Sequence, residues 1–185
     1  MKNLKITLTV LLALILSISA LAQDKKSGFR AGYVMSSITE GPGNLNGFYA
    51  GFSHDRPIAK SNILFAHGGT EYTQAGYMFD NDNFRRLHYI SLPTALKIKL
   101  GPVFVQGGYA LNFKVAETYI WDGVDVKTSA NKYRVFNFPL LAGAGLMVGP
   151  VTVEARFNYG LSKLNKVLSP GDRLSYLQIG AALHF

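Results

Sequence analysis

Two neighbouring stretches alternate between apolar and polar or small side chains for longer than soluble strands usually do. Along residues 87–100, every second position faces one way, including Ile90, Leu92, Leu96 and Ile98. The alternation resumes along 103–115, after Gly101-Pro102. A soluble strand averages about five or six residues, whereas a tilted strand that crosses a bilayer needs about nine to eleven. The pattern predicts a transmembrane β-hairpin with one face toward lipid. This stretch alone leaves open a long hairpin of a soluble, lipocalin-like barrel.

The same alternation recurs along the rest of the chain. It predicts eight strands, at 29–37, 47–55, 62–77, 87–100, 103–115, 135–148, 151–161 and 174–185. Short turns follow the second, fourth and sixth strands. Longer polar loops, at 38–46, 79–86, 116–133 and 162–173, follow the others. Short turns at one end and long loops at the other are typical of bacterial outer-membrane barrels. The prediction is an all-β fold, an eight-stranded antiparallel up-and-down transmembrane β-barrel with short periplasmic turns and longer extracellular loops.

The two ends of the chain indicate export. Residues 1–22 have the form of a secretory signal peptide, with Lys2 and Lys5 before the apolar segment 6–16 and a small-x-small site at 20–22. Residues 23–185 then form the barrel domain. The final amphipathic strand ends on Phe185 and resembles the signal strand that the barrel insertion machinery reads. We therefore expect a location in the cell outer membrane, with outer-membrane lipid and the insertion machinery as partners.

Composition narrows the classes of function. The chain has no cysteine, which excludes disulfides and thiolate metal sites. Its net charge is +8, but the lysines and arginines are scattered without a basic run, so we do not expect nucleic-acid binding. Only 16% of the residues are charged, while glycine and aromatic residues are frequent, as suits a barrel wall.

Charged residues occupy the face that alternation turns inward. This set comprises Arg30, Glu71, Lys97, Lys99, Lys114, Glu154 and Arg156. An eight-stranded barrel is just wide enough for side chains to fill it. We therefore expect these residues to pair across the lumen as an interior polar network. The alternative is a narrow basic path that attracts anions.

Residues suited to catalysis or metal binding are dispersed. Ser37 and His88 lie near the outer ends of their strands, as in a lipid-modifying barrel enzyme, but those strands are not neighbours. Asp80 and Asp82 resemble half of a calcium loop whose glycine and distal glutamate are missing, so a solvated turn is favoured. We expect no catalytic residue, no metal and no cofactor.

Two aromatic residues stand out in the longest predicted loop, 116–133. Tyr119 and Trp121 are candidate contacts for a partner outside the membrane. The favoured interpretation is that they extend the aromatic girdle of the barrel upward.

Several short motifs spread through residues 23–185 resemble the PorT-like outer-membrane β-barrel family of Bacteroidetes. The more specific ones are HYISLP at 88–93 and RFNYGL at 156–161. Looser matches are GFRAG at 28–32, GFYAG at 47–51, EYTQAG at 71–76 and GAG at 143–145. The resemblance implies an eight-stranded barrel and little about activity, because function does not follow from fold.

Three functions are compatible with this pattern. The favoured one is a small non-enzymatic barrel with a membrane-structural role or with loops that bind a surface partner. The second is a narrow solute pore or an accessory component of an outer-membrane secretion system. The third is a lipid-modifying barrel enzyme.

Overall fold

A computed structural model describes residues 26–39, 43–58, 62–80, 82–126, 134–163 and 173–185. Long strands dominate these ranges. They are β1 (Lys26–Ile38), β2 (Leu45–Pro57), β3 (Leu64–Met78), β4 (Phe84–Leu100), β5 (Val103–Trp121), β8 (Pro139–Val148), β9 (Val151–Lys163) and β10 (Arg173–His184). Two short strands, β6 (Val124–Asp125) and β7 (Phe136–Asn137), both pair with β5. The predicted signal segment 1–22 lies outside the described residues.

The sheet closes into a ring. The strands follow the order β4-β3-β2-β1-β10-β9-β8-β5, and β5 pairs again with β4. Every pairing between these strands is antiparallel, and the first strand meets the last, with Phe29 opposite Leu183. Each of these eight long strands therefore has a paired neighbour on both sides, so the ring that they form in the described part of the chain has no open edge. The predicted antiparallel barrel of eight long strands is confirmed in the described part of the chain.

Alternation places the side chains as the sequence predicts. Outward positions carry apolar residues such as Phe52, Leu100 and Val148, which are 63%, 64% and 72% exposed. Inward positions hold buried aromatic and aliphatic residues near the long-loop end, among them Val34, Tyr49, Leu87, Tyr89, Leu174 and Tyr176. Towards the short-turn end, the inward residues are mostly polar or charged. Among the described residues, no helix is long and apolar enough to cross a membrane.

Glycines shape the barrel where the backbone turns or where a large side chain needs room. Gly101 and Gly149 adopt φ values of +67° and +60° in the tight turns after β4 and β8, a conformation that a side chain disfavours. Gly145 faces the lumen beside Phe104, and a Cβ there would lie 2.5 Å from the Phe104 ring. The absence of a side chain at Gly145 therefore lets the Phe104 ring fill the lumen.

The predicted strand limits need correction at the long-loop end. The strand β4 begins at Phe84, so the predicted loop 79–86 is too long. The strand β5 continues to Trp121 rather than ending at Val115, so the first part of the predicted loop 116–133 is wrong. The ladder continues because residues 84–88 pair with residues 116–120 beyond a β-bulge at Val115. The β4–β5 hairpin is therefore longer than the predicted segment 87–115.

Candidate functional site

The centre of the lumen contains two arginines and two glutamates. The Arg156 Nη2 group donates to Glu71 Oε2 at 2.9 Å, and Gln178 Nε2 donates to Glu71 Oε1 at 3.0 Å. Arg30 forms an ion pair with Glu154, and Arg156 Nε lies 3.6 Å from the same glutamate. Each of these side chains is at most 3% exposed. Both glutamates therefore have a cation within reach, which is the condition under which buried charge is tolerated.

A histidine connects this centre to a second cluster nearer the short-turn end. His67 Nε2 lies 2.8 Å from Arg30 Nη1, and His67 Nδ1 lies 2.6 Å from Asp55 Oδ1. Because a guanidinium can only donate, Nε2 accepts from Arg30 and Nδ1–H donates to Asp55. The ammonium groups of Lys97 and Lys99 lie 2.9 Å and 3.3 Å from Asp55 Oδ2.

These two clusters form one continuous network, which we name the lumen network. It comprises Arg30, Asp55, His67, Glu71, Lys97, Lys99, Glu154, Arg156 and Gln178. Its members come from β1, β2, β3, β4, β9 and β10, so it ties the strands together across the interior. Ion pairs between strands that are not neighbours restrict the space through which a solute could pass.

Lys114, which the sequence also places inside, lies apart from the lumen network. Its ammonium group is 2.7 Å from Glu117 Oε2, and Arg85 Nη1 is 3.1 Å from Glu117 Oε1. Glu117 and Arg85 were both predicted to lie in loops. The alternation of β4 continues backward through Leu87 to Arg85, and that signal could have identified Arg85 as inward.

The bulge at Val115 determines where Tyr119 and Trp121 point. Tyr89 pairs with Lys114 and His88 pairs with Ala116, so Val115 has no opposite residue and the facing pattern of β5 shifts by one. Beyond the bulge, Tyr119 pairs with Arg85, and the Arg85 guanidinium stacks over the Tyr119 ring at 4.3 Å. The interpretation of Tyr119 and Trp121 as outward girdle residues in a loop is therefore wrong. They lie on a strand and face the mouth of the lumen.

Four aromatic rings meet at this mouth, and we name them the mouth cluster: Tyr77, Phe79, Tyr119 and Trp121. Phe79 contacts each of the other three, with ring centroids 5.0 Å from Tyr77, 6.4 Å from Tyr119 and 6.1 Å from Trp121. Tyr77 is buried, whereas Phe79 and Trp121 are 38% and 45% exposed. The cluster therefore presents aromatic surface above the filled lumen.

The turn between β3 and β4 supports the mouth cluster from one side. The Asp80 carboxylate accepts hydrogen bonds from the Asn83 side chain at 2.8 Å and from the backbone N–H groups of Asp82 and Asn83. The hydrogen bond from the Asn83 side chain, with those of the two backbone groups, lowers the pKa of Asp80 below its ordinary value. Asn83 Oδ1 in turn accepts from the Asp122 N–H at 2.7 Å. The segment that resembles half of a calcium loop is thus a turn, as the sequence favours, and its hydrogen bonds fix the tip of β5.

The serine and histidine considered for catalysis do not meet. Ser37 is on β1 and His88 is on β4, with β2 and β3 between them. A different pair does meet near the short-turn end, where Ser27 Oγ lies 3.0 Å from His54 Nδ1. A groove of about 560 Å³ adjoins this pair, lined also by Phe52, Thr70 and Phe185. Among the described residues, no carboxylate forms an ion pair or hydrogen bond with His54.

A comparison with known protein families finds one that matches most of the chain. Residues 21–166 match the family described as the outer membrane protein beta-barrel domain. A comparison with curated proteins finds no match.

Solved structures with the same fold include three outer-membrane proteins. The attachment invasion locus protein Ail of Yersinia pestis, in complex with the heparin analogue sucrose octasulfate, has a TM-score of 0.53 and 18% identity, over 88% of this chain and 100% of Ail. Neisserial surface protein A has a TM-score of 0.54 and 21% identity, over 87% and 97% of the two chains. The outer membrane enzyme PagL has a TM-score of 0.55 and 15% identity, over 86% and 98%. At these identities the similarity establishes the fold alone.

Proposed function

The chain belongs to the outer membrane protein β-barrel domain family, and from this premise we propose that it is a non-enzymatic, non-conducting barrel whose extracellular mouth binds a partner at the cell surface. The family and the fold establish an outer-membrane location. We infer that the short turns are periplasmic and that the longer loops are extracellular, as is typical of such barrels. The binding role is our inference.

The mouth cluster carries this proposal. Exposed aromatic residues held in a fixed position are common anchors of protein interfaces, because they bury a large area at a small cost in side-chain entropy. Phe79 and Trp121 are exposed in this way, and the turn at Asp80 and Asn83 holds them against the end of β5. Such an arrangement suits recognition better than it suits passage of a solute.

The lumen network supports the non-conducting part of the proposal. Four cations and three carboxylates of the described interior form ion pairs with one another, which leaves little charge free to bind a passing ion. The ammonium group of Lys97 lies over the Phe104 ring, 4.6 Å from the ring centroid. The interior is therefore filled by side chains that hold one another in place.

A photo-crosslinking amino acid at Trp121 tests the binding role on intact cells. We expect illumination to attach the protein to a surface partner, because the Trp121 side chain is at the extracellular mouth and 45% exposed. The matched control carries the crosslinker at Leu100, which is exposed beside the periplasmic turn. Adducts of equal yield and identity from both positions, or none from Trp121, would contradict a binding mouth.

A second candidate function rests on the Ser27–His54 pair. A serine hydroxyl beside an imidazole on the lipid-facing wall is the minimum arrangement for hydrolysis of a lipid ester, with serine as nucleophile and histidine as base. The candidate predicts that the purified barrel releases fatty acid from phospholipid vesicles and that Ser27→Ala abolishes the release. Equal release by wild type and Ser27→Ala would exclude Ser27 as the nucleophile, and no release by either would leave the non-enzymatic proposal in place.

Three further assignments are proposals that rest on sequence features. The motifs at 88–93 and 156–161 favour the PorT-like branch of Bacteroidetes. The pattern of residues 1–22 favours an export signal ahead of the barrel domain 23–185. The amphipathic strand that ends on Phe185 favours recognition by the barrel insertion machinery.

A further inference from the structure

A group of polar residues lies on the outer wall of the barrel, where lipid rather than water is expected. We name it the outer-wall patch, and it comprises Tyr72 and Gln74 on β3, Arg86 and His88 on β4, and Thr118 on β5. On β4, the outward positions from Ile98 to Ile90 are mostly apolar, and the next two outward positions toward the long-loop end are His88 and Arg86. An arginine on the lipid face is unfavourable unless it reaches a polar region, so its position calls for a partner.

Hydrogen bonds organise the patch. Gln74 Nε2 donates to the Tyr72 hydroxyl at 3.2 Å, and that hydroxyl lies 2.5 Å from His88 Nδ1. His88 Nε2 lies 3.3 Å from Thr118 Oγ1. If Tyr72 donates to Nδ1, the imidazole carries its proton on Nε2 and donates to Thr118. Both ring nitrogens are then engaged, which fixes the position of the imidazole.

Arg86 differs from the arginines of the lumen. Its Nη2 group donates to the backbone oxygen of Asn46 at 3.3 Å, and its Nε is buried without a hydrogen-bond partner. Among the described residues, no carboxylate forms an ion pair with Arg86, whereas Arg30, Arg85 and Arg156 each have one. Arg86, a cation on the outer wall without an acidic partner among the described residues, is therefore suited to bind an anion from the surrounding membrane.

The height of the patch identifies those surroundings. Strands rise about 3.4 Å per residue and tilt by about 40° in such barrels, so each residue adds about 2.6 Å of height. His88 therefore lies about 26 Å above Ile98 and Arg86 about 31 Å above it, compared with an apolar band about 25 Å tall. The patch consequently lies at the headgroup level of the external leaflet. The Phe48 ring on β2 lies beside the patch, with its centroid 5.6 Å from that of the Tyr72 ring.

We propose that the outer-wall patch binds a phosphate group of a lipid A-type glycolipid in the external leaflet. Arg86 would form charge-assisted hydrogen bonds with the phosphate oxygens, a geometry for which guanidinium is well matched. Thr118 and Gln74 provide further polar groups beside it, and the Phe48 and Tyr72 rings provide a surface for the sugar or acyl chains. The position at the extracellular end favours this glycolipid over phospholipids of the periplasmic leaflet.

Native mass spectrometry of the purified full chain with bisphosphorylated lipid A tests the proposal. We expect wild type to retain this lipid at least about tenfold better than fully dephosphorylated lipid A, since one charge-assisted interaction corresponds to about that factor. Arg86→Gln should remove the preference, and Arg86→Lys should retain part of it. Faster migration of unheated than of boiled protein in a gel verifies that each variant is folded.

Arg56→Gln is the matched control, because Arg56 is an exposed arginine on β2 near the periplasmic end. It removes the same charge from the chain and should leave the preference for phosphorylated lipid A unchanged. Equal retention of the two lipid A forms by wild type would overturn the proposal. So would an equal loss in Arg56→Gln and Arg86→Gln, or stronger retention of phosphatidylglycerol than of lipid A.

Discussion

Arg156 and Glu71 meet across the full width of the barrel. Arg156 lies on β9 and Glu71 on β3, and these strands are separated by β10, β1 and β2 in one direction around the ring. Their side chains nevertheless come within 2.9 Å and are at most 2% exposed. An ion pair between opposite walls of the barrel links them through the lumen, in addition to the hydrogen bonds around its circumference. Arg156 and Glu71 therefore both stabilise the barrel and help to block its lumen.

The first prediction concerns Glu154, which contacts two arginines. Replacing it with glutamine leaves Arg30 and Arg156 with less compensating charge in a buried site. We expect Glu154→Gln to lower the free energy of unfolding by about 3–5 kcal/mol if the lumen is dry, and by less if water enters. Urea unfolding of the barrel in lipid vesicles measures the change.

Asp125→Asn is the control for this measurement. Asp125 is exposed on β6, so the same loss of charge should change the free energy of unfolding by less than about 0.5 kcal/mol. Equal effects of the two substitutions would show that the lumen network is solvated and adds little to stability.

The second prediction is that the lumen does not conduct. Planar bilayers containing wild-type protein should show no steady open-channel current, because Arg30 and Arg156 fill the centre and are at most 1% exposed. The double variant Arg30→Ala, Arg156→Ala removes the two largest buried side chains and should allow current to pass. Steady currents from wild type would instead favour the pore function.

The alternation of apolar and polar residues was sufficient to predict most of the side chains that face the lumen. Along β4, Tyr89, Ser91, Ala95, Lys97 and Lys99 are all buried, and the sequence places all of them inward. This succeeds because a closed barrel forces side chains to alternate between lipid and lumen along every strand. The pairing of Arg156 with Glu71 could not be predicted in the same way. It joins residues 85 positions apart and depends on the register of several strands together.

The bulge at Val115 was the main feature that the sequence did not indicate. No glycine or proline marks it, and the residues around it continue to read as a polar loop. Because a single unpaired residue reverses the facing pattern, Tyr119 and Trp121 move from the expected outer wall to the mouth. Prediction of the mouth cluster required knowledge of this local irregularity.

The third prediction follows from the bulge. Deleting Val115 should leave a folded barrel, because the residue pairs with nothing on β4 and its removal restores a regular ladder. Glu117 and Tyr119 would still face the inside of the barrel. The emission of Trp121, the single tryptophan, should therefore be unchanged. Deleting Leu111, which is paired with Leu92, should prevent folding or reverse the facing of the strand end. A Val115 deletion that fails to fold while the Leu111 deletion folds would contradict the assigned bulge.

The last prediction tests whether the turn at Asn83 holds the mouth cluster. Asn83 is 6% exposed and links the Asp80 carboxylate to the N–H of Asp122, which follows Trp121 directly. Asn83→Ala removes both hydrogen bonds, so the end of β5 should separate from Phe79. We expect the Trp121 emission maximum to shift to longer wavelength and iodide to quench it more strongly, since the ring becomes more exposed. Asn44→Ala, at an exposed position outside the strands, is the control and should leave both properties unchanged. If Asn83→Ala leaves the emission and the quenching of Trp121 as unchanged as Asn44→Ala does, the turn at Asn83 does not hold Trp121. The ring contacts with Phe79 and Tyr119 would then be what keeps Trp121 in place.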